Sequence, residues 1–281
     1  MRVDRFGPFA PVLAACAILS GLPVRAQDDT EQPPAQDKSA LRAALEHMQR
    51  LELRNADGQR IDPVERPLLS YADPARINSD GTFWAWGKTG RPVAFLELFR
   101  GSPEAATWVQ SATLTTAQRV KLIIPEVGLW QPPPTPVEPR AIPDAPTPDE
   151  RPTSRLRQIK DLSRRFAAHE FWDPDNSRFE LRVLVRPVLR YSDPTANIQD
   201  GAAFVIAHGT NPETVLLIEA IGPSLKEARW HYALVRSSHA EAHVELDGQE
   251  VWKCERANAV NHGATRGYWL FLSPVEEAVE P

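Results

Sequence analysis

Apolar residues recur at helical spacing in two places along the chain. Leu41, Ala44, Leu45, Met48 and Leu51 follow Ser39, and Leu156, Ile159, Leu162 and Phe166 follow Ser154. A period near 3.6 behind a residue that caps well predicts a short amphipathic helix at each place. Beyond each helix the period falls to two. Val120, Leu122 and Ile124 alternate with Arg119 and Lys121, and Ala242, Val244 and Leu246 alternate with Glu241 and His243. Such alternation predicts strands with one face in water. Two hairpins are predicted before them, Thr82 to Gly87 with Val93 to Phe99 and Ala202 to Ala207 with Thr214 to Ile221, around turns holding Gly90 or Gly209.

The two series of elements are copies of one sequence. At an offset of 120, Arg66, Pro67, Leu69, Tyr71, Asp73, Pro74, Asp80, Gly81 and Pro92 fall on Arg186, Pro187, Leu189, Tyr191, Asp193, Pro194, Asp200, Gly201 and Pro212. Two residues are then inserted in the second copy. At an offset of 122, Val93, Glu97, Ser102, Ala106, Trp108 and Trp130 fall on Val215, Glu219, Ser224, Ala228, Trp230 and Trp252. Solenoid repeats have periods of about 20 to 50 residues, so a repeat this long is a domain-sized unit.

The expected fold class is α+β: each copy has one N-terminal helix packed on about five antiparallel strands. Repeat domain 1 covers residues 38–130 and repeat domain 2 covers 154–273, with Gly267 to Leu272 as a further strand closing the second copy. Residues 131–153 carry a proline at nearly every second or third position, which predicts an extended spacer between the copies.

The start of the chain reads as a targeting segment. Arg2 and Arg5 precede an apolar run, and Val24-Arg25-Ala26 offers small residues for cleavage after Ala26. Leu13-Ala14-Ala15-Cys16 is a rival lipoprotein box. Export to the periplasm or beyond follows from either. A polar stretch, 27–37, is expected to be disordered, and 274–281 reads as an acidic tail. With the leader removed, the net charge of −5 falls by the +2 carried by Arg2, Arg5, Arg25 and Asp4, to about −7. No basic patch points to nucleic acid, no later segment is long and apolar enough to span a membrane, and Cys254 alone remains, so no intramolecular disulfide forms.

Candidate chemistry is sought first among residues shared by both copies. Tyr71, Asp73 and Asp80, with Tyr191, Asp193 and Asp200, surround one loop per copy, where Asp-Pro and Asp-Gly form turns. The functional alternative is a hydrogen-bonding or cation-binding rim that includes Asn78. Glu97 and Glu219 stand between apolar neighbours on their own strand faces, where a carboxylate needs a partner or a raised pKa. The duplicated Arg66 and Arg186 suggest a structural ion pair; a general acid is the alternative. His239, Glu241 and His243 alternate and are weak zinc candidates, since the first copy has Ala117, Arg119 and Lys121 there. Trp84, Trp86, Trp108, Trp130, Trp230 and Trp252 read as core, with a sugar platform of Trp84, Trp86 and Trp108 as the alternative. No phosphate loop, nucleophile elbow or His-Glu-x-x-His motif occurs, and no cofactor is called for.

The phrases Asp80-Gly-Thr-Phe-Trp-Ala-Trp-Gly-Lys-Thr-Gly-Arg-Pro-Val-Ala and Arg186-Pro-Val-Leu-Arg-Tyr-Ser-Asp-Pro resemble a family of secreted planctomycete proteins with an internal duplication. Asp200-Gly-Ala-Ala-Phe and His208-Gly-Thr-Asn-Pro-Glu extend the resemblance over most of residues 40–253. It implies export and brings no catalytic residues. The expected function is a non-enzymatic binding or scaffolding module with a protein or carbohydrate ligand. The alternative is a metal-dependent or hydrolase-like enzyme with a site in the second copy only, around Glu219, His231, His239 and His243.

Overall fold

The computed structural model describes residues 38–73, 78–100, 106–172, 175–257 and 267–275. The leader, the polar stretch after it and residues 276–281 of the acidic tail lie outside the described residues. The first half runs α1 (Lys38–Arg50), β1 (Glu52–Asn55), β2 (Arg60–Ile61), β3 (Leu69–Asp73), β4 (Asn78–Trp86), β5 (Ala94–Arg100), β6 (Thr107–Leu114), β7 (Val120–Ile124) and β8 (Gly128–Trp130). A short β9 (Arg140–Ala141) follows. The second half then runs α2 (Pro152–Ser163), β10 (Phe166–Trp172), β11 (Ser177–Val183), β12 (Leu189–Asp193), β13 (Ile198–His208), β14 (Asn211–Ile221), β15 (Arg229–Arg236), β16 (Glu241–Leu246) and β17 (Gln249–Cys254), before β18 (Tyr268–Pro274). The order α1 to β8 is that of α2 to β17.

The α+β expectation is overturned. Strand accounts for 52 % and helix for only 13 %, and the sheets curl into a half-barrel, so the chain is mostly β. Among the described residues each half has eight strands instead of about five: β1, β2 and β8 are too short to show an alternating pattern in the sequence, and their longer counterparts β10, β11 and β17 fall outside the expected set as well. The helices also start earlier than the serines suggest. Pro152 opens α2 behind Arg151, with no side chain capping it, and Ser154 sits inside the first turn.

All strand pairs are antiparallel. In the first half β18-β6-β5-β4-β3 form one sheet and β2-β1-β7-β8 another. In the second half the same neighbours merge into one nine-stranded sheet, because β11 pairs β13 through Arg182 with Ala207 and Val183 with Ile206. Pro63 stands where Val183 would be and lacks an N–H donor, so the matching contact in the first half shrinks to a single bridge with Trp86.

The central strands are buried on both faces. Trp84, Trp86, Leu96, Leu98 and Trp108 turn inward in the first half, where Ala44 and Met48 of α1 join them. Phe204, Ile206, Leu216, Ile218 and Trp230 do so in the second. The opposite faces pack on each other: Phe83, Ala85 and Phe95 meet Ala203, Val205, Val215, Leu217 and Ala233 in a core between the halves. Phe83 and Phe95 stack there at 5.4 Å. Both halves therefore belong to one compact unit.

Two connections differ from expectation. The proline-rich stretch is not a free spacer: the Thr135 N–H donates to Thr116 O (3.0 Å), β9 pairs with β15, and the Ile142 N–H donates to Trp230 O (2.9 Å) as Ile142 enters the core. The strand after the second copy closes the first. β18 pairs with β6 from Tyr268 opposite Thr113 to Pro274 opposite Thr107. The outer edges of β6 and β15 are thus each covered by a strand from outside the repeat, which removes two exposed templates for aggregation.

Candidate functional site

The duplicated tyrosine, glycine and glutamate are brought together in each half. Tyr71 lies opposite Gly81 and Tyr191 opposite Gly201 across the β3–β4 and β12–β13 ladders. A Cβ on Gly81 would stand 2.2 Å from Cζ of Tyr71, and one on Gly201 would stand 2.8 Å from Cε2 of Tyr191, so glycine makes room for each ring. The rings carry their hydroxyls to the glutamates. Tyr71 donates to Glu97 Oε1, and Tyr191 donates to Glu219 Oε1 at 2.6 Å. Burial, and then the adjacent carboxylate, pushes both hydroxyls well up, so both remain donors at any ordinary pH.

This corrects two expectations. Arg66 and Arg186 are exposed, whereas Glu97 and Glu219 are buried, so the predicted ion pairs do not form. Asp80-Gly81 and Asp200-Gly201 lie inside β4 and β13 and are not turns. Their aspartates are structural all the same. Arg100 reaches Asp80 at 3.2 Å, and Asp200 takes Arg155 at 2.6 Å together with two donors from Arg190. Asp193 caps the 3-10 turn Pro194–Ala196, accepting from the Thr195 and Ala196 N–H groups. Asp73 is buried, with Nδ1 of His208 3.7 Å from its Oδ2.

Glu97 and Glu219 sit on the strand faces that meet between the halves, and each is approached by the other half's hairpin turn. The turn before β5 brings Arg91 onto the second half: its backbone N–H donates to Asp193 (3.2 Å), and its Nε and Nη2 donate to both oxygens of Glu219 (2.7 and 2.5 Å). A bidentate guanidinium thus neutralises that carboxylate. The reciprocal turn, His208 to Asn211, reaches Asp73 and Glu97 of the first half. Here Asn211 occupies the position of Arg91 and is too short to repeat the pair.

A cavity of about 190 Å³ lies at this second junction. Glu97, Ser111, Asn211, Glu213, Tyr268 and Trp172 are in its wall, with Phe99 and His239 beside them. Glu213 is one of the two inserted residues, and Asn211 Nδ2 donates to its Oε1 at 3.0 Å. Ser111 Oγ is 3.1 Å from Glu97 Oε2 and 2.9 Å from Ser237 O, and its one proton serves one of them at a time. Burial, then the charge of Glu97, pushes the Tyr268 hydroxyl well up, which keeps it a donor. The sequence marked Glu97 in this group and missed Asn211, Glu213, Ser111 and Tyr268. The insertion that sets Glu213 in the second copy was the available signal.

The histidines do not assemble a metal centre. His243 is held by Glu241 (3.0 Å) and Glu250 (2.7 Å) and stacks on His169, while His239 packs edge-on against Trp172 at 4.5 Å. His231 lies opposite Glu219 in the β14–β15 register and turns Nδ1 to Arg229 O (2.9 Å). Among the described residues no three His, Cys, Asp or Glu side chains converge as a metal would require. Trp84, Trp86, Trp108, Trp130 and Trp230 are buried and offer no sugar platform; Trp252 is half-buried. Among the described residues no helix is long and apolar enough to cross a membrane. Compared with known proteins, the chain matches no family model, no curated sequence and no solved structure.

Proposed function

We propose that the chain is an exported, non-enzymatic binding protein whose ligand enters the cavity at the Glu97–Asn211 junction between the halves. Export rests on the leader read in residues 1–26 and on the resemblance to secreted proteins. The single observation that carries the binding reading is the asymmetry of two equivalent junctions. One is filled by Arg91, and the other keeps a cavity walled by two carboxylates, an amide, hydroxyls and an indole. A few convergent polar groups set among aromatic walls are what ligand sites share.

A hydrolase-like reading has one observation in its favour, that Ser111, Glu97 and His239 share the cavity. A nucleophilic serine needs a base on its hydroxyl. Ser111 lies against a carboxylate that the Tyr71 hydroxyl already stabilises, which weakens it as a base, and against a backbone carbonyl, with His239 turned to Trp172. Binding without turnover is the better fit.

The test is a panel of amines, guanidines, sugars and carboxylates titrated into the purified full chain while tryptophan emission is followed, since Trp172 is in the cavity wall. Saturable quenching by one class, lost in Ser238→Trp, is expected. No response to any class sinks the binding reading, and ester or amide turnover that falls with Ser111→Ala replaces it with the enzyme.

A further inference from the structure

The second half leaves open a slot that the first half fills. Trp130 and Trp252 are equivalent residues, each paired with an equivalent partner, Leu122 or Val244. In the first half β18 lies on β6, with Phe271 opposite Gln110 and Trp269 opposite Ala112. Trp269 stands 6.1 Å from Trp130, which is wholly buried. In the second half the matching edge of β15 receives only the two residues of β9, with Arg140 opposite Tyr232, the equivalent of Gln110. Arg140 thus corresponds to Phe271, and Glu138, two residues before it, corresponds to Trp269. Pro139 has no N–H, and the pairing with β15 ends at Arg140. What remains is a cavity of about 360 Å³ walled by Tyr232, Leu234, Val251 and Trp252, with Glu138 and Arg140 at its side.

We propose that this cavity binds a sugar ring, set against Trp252 as Trp269 is set against Trp130 in the first half. The site is separate from the Glu97–Asn211 junction, with Tyr268 in the walls of both cavities. Its volume lies within the range of about 300 to 1,000 Å³ typical of small-molecule sites. Trp252 is half-buried, and among the described residues no other ring or cation lies against its indole, whose apolar face suits the C–H side of a sugar. The polar groups suit its hydroxyls. Tyr232 is 5 % exposed, and among the described residues neither its hydroxyl nor the Glu138 carboxylate has a hydrogen-bond partner. Arg140 donates through Nη1 to Val251 O and keeps its other donors. Strand alternation turns the backbone N–H and C=O of Leu234 to the same edge of β15 at which Trp230 O accepts from Ile142. Sugar hydroxyls both donate and accept, so one ring can serve a carboxylate, a guanidinium and a phenol together. An aromatic side chain in the slot would use none of these groups. The exchange of Trp269 and Phe271 for Glu138 and Arg140 therefore favours a sugar over a peptide aromatic. Arg236 is outside this polar set: its guanidinium stands over the Tyr268 ring at 5.5 Å and donates to Glu255 O.

The test is calorimetric titration of the purified full chain with cellobiose and with the methyl glycosides of glucose, galactose, mannose, N-acetylglucosamine and glucuronic acid. N-acetyltryptophanamide serves as the aromatic control. One saturable site for at least one sugar is expected, with the control silent. Trp252→Leu should weaken that binding at least tenfold. Should this variant fail to fold, Glu138→Trp decides: Glu138 is exposed, and the substitution supplies the indole that closes the slot in the first half. It should abolish sugar binding without lowering the melting temperature. Ser238→Trp, in the wall of the other cavity, should leave sugar affinity within twofold, so that the two sites stand or fall separately. Silence from every sugar overturns the proposal, as does sugar binding that survives Glu138→Trp or is lost in Ser238→Trp. Binding of the aromatic control in place of the sugars overturns it too, and assigns the slot to a peptide side chain.

Discussion

At the scale of single residues, the most consequential charges are buried ones with named partners. Asp200 is held by Arg155 and Arg190 in the second half, with side-chain exposures of 6 % for the carboxylate and 11 % for Arg155. Losing one partner of a buried pair costs about 3 to 5 kcal/mol. Asp200→Asn is therefore expected to lower the unfolding free energy from denaturant titration by that amount, and a change below about 0.5 kcal/mol would show the pair to be dispensable. His47 sets a pH response. Burial lowers its pKa to about 4 against the modest pull of the Gln110 hydrogen bond (3.1 Å), so the folded chain holds it neutral. As pH falls below about 6.5 the unfolded chain binds the proton first, and stability drops until the folded form also titrates near pH 4. The loss across that window is about 3 kcal/mol. Melting curves of the parent and His47→Gln between pH 7 and 4 should converge at the acid end; parallel curves would refute the assignment.

At the scale of elements, the sequence disclosed the strands that alternate and concealed those that do not. The β4–β5 and β13–β14 hairpins were readable from Thr82, Val93, Ala202 and Thr214 onward, and so was β7 with its match β16. Arg66 suggests itself as the partner of Glu97 because charge complementarity is visible in a sequence and register is not. The usable sign was Gly81, duplicated as Gly201 in a strand interior, where only a ring crossing above it explains the missing side chain. The proline count masked β9 for a related reason. Arg140, Ala141 and Ile142 form a proline-free window just long enough to pair with β15 and sink one side chain. The α+β expectation gave too much weight to two helices, since two- to four-residue strands such as β2, β8 and β1 leave no periodic trace. Of the cavity, Asn78, Glu97 and His239 were legible as candidates, though not as neighbours. The remaining groups converge from both halves, and a pseudo-symmetric contact cannot be seen in either copy alone.

At the scale of the molecule, the nearly unbroken apolar runs Ala202 to Ala207 and Val215 to Ile218 announce sheets covered on both faces, and the second cover is the other half. The halves are therefore joined by a core and by cross-half bonds such as Ser111 Oγ to Ser237 O and Thr113 Oγ1 to Arg236 O (2.8 Å), independently of the segment that connects them in sequence. A protease site inserted at Ala145-Pro146 and cut should leave both fragments eluting together on size exclusion; separate peaks would refute a shared core. Two copies facing each other make two equivalent junctions, and divergence at Arg91 and Asn211 sets them apart: one places a guanidinium on Glu219, the other has a cavity beside Glu97.

The placement of β18 ties an early sheet to a late strand. A ribosome releases the strand that completes the first half's sheet only after the whole second half, so β6 waits with a bare edge, Thr107 to Leu114, while some 150 further residues are translated. Nascent chains stalled before Tyr268 should be captured by holdase chaperones or precipitate, whereas supplying the Tyr268–Pro274 segment as a free peptide should rescue them. A truncated chain that stays soluble and melts like the parent would show that this late strand is ornament.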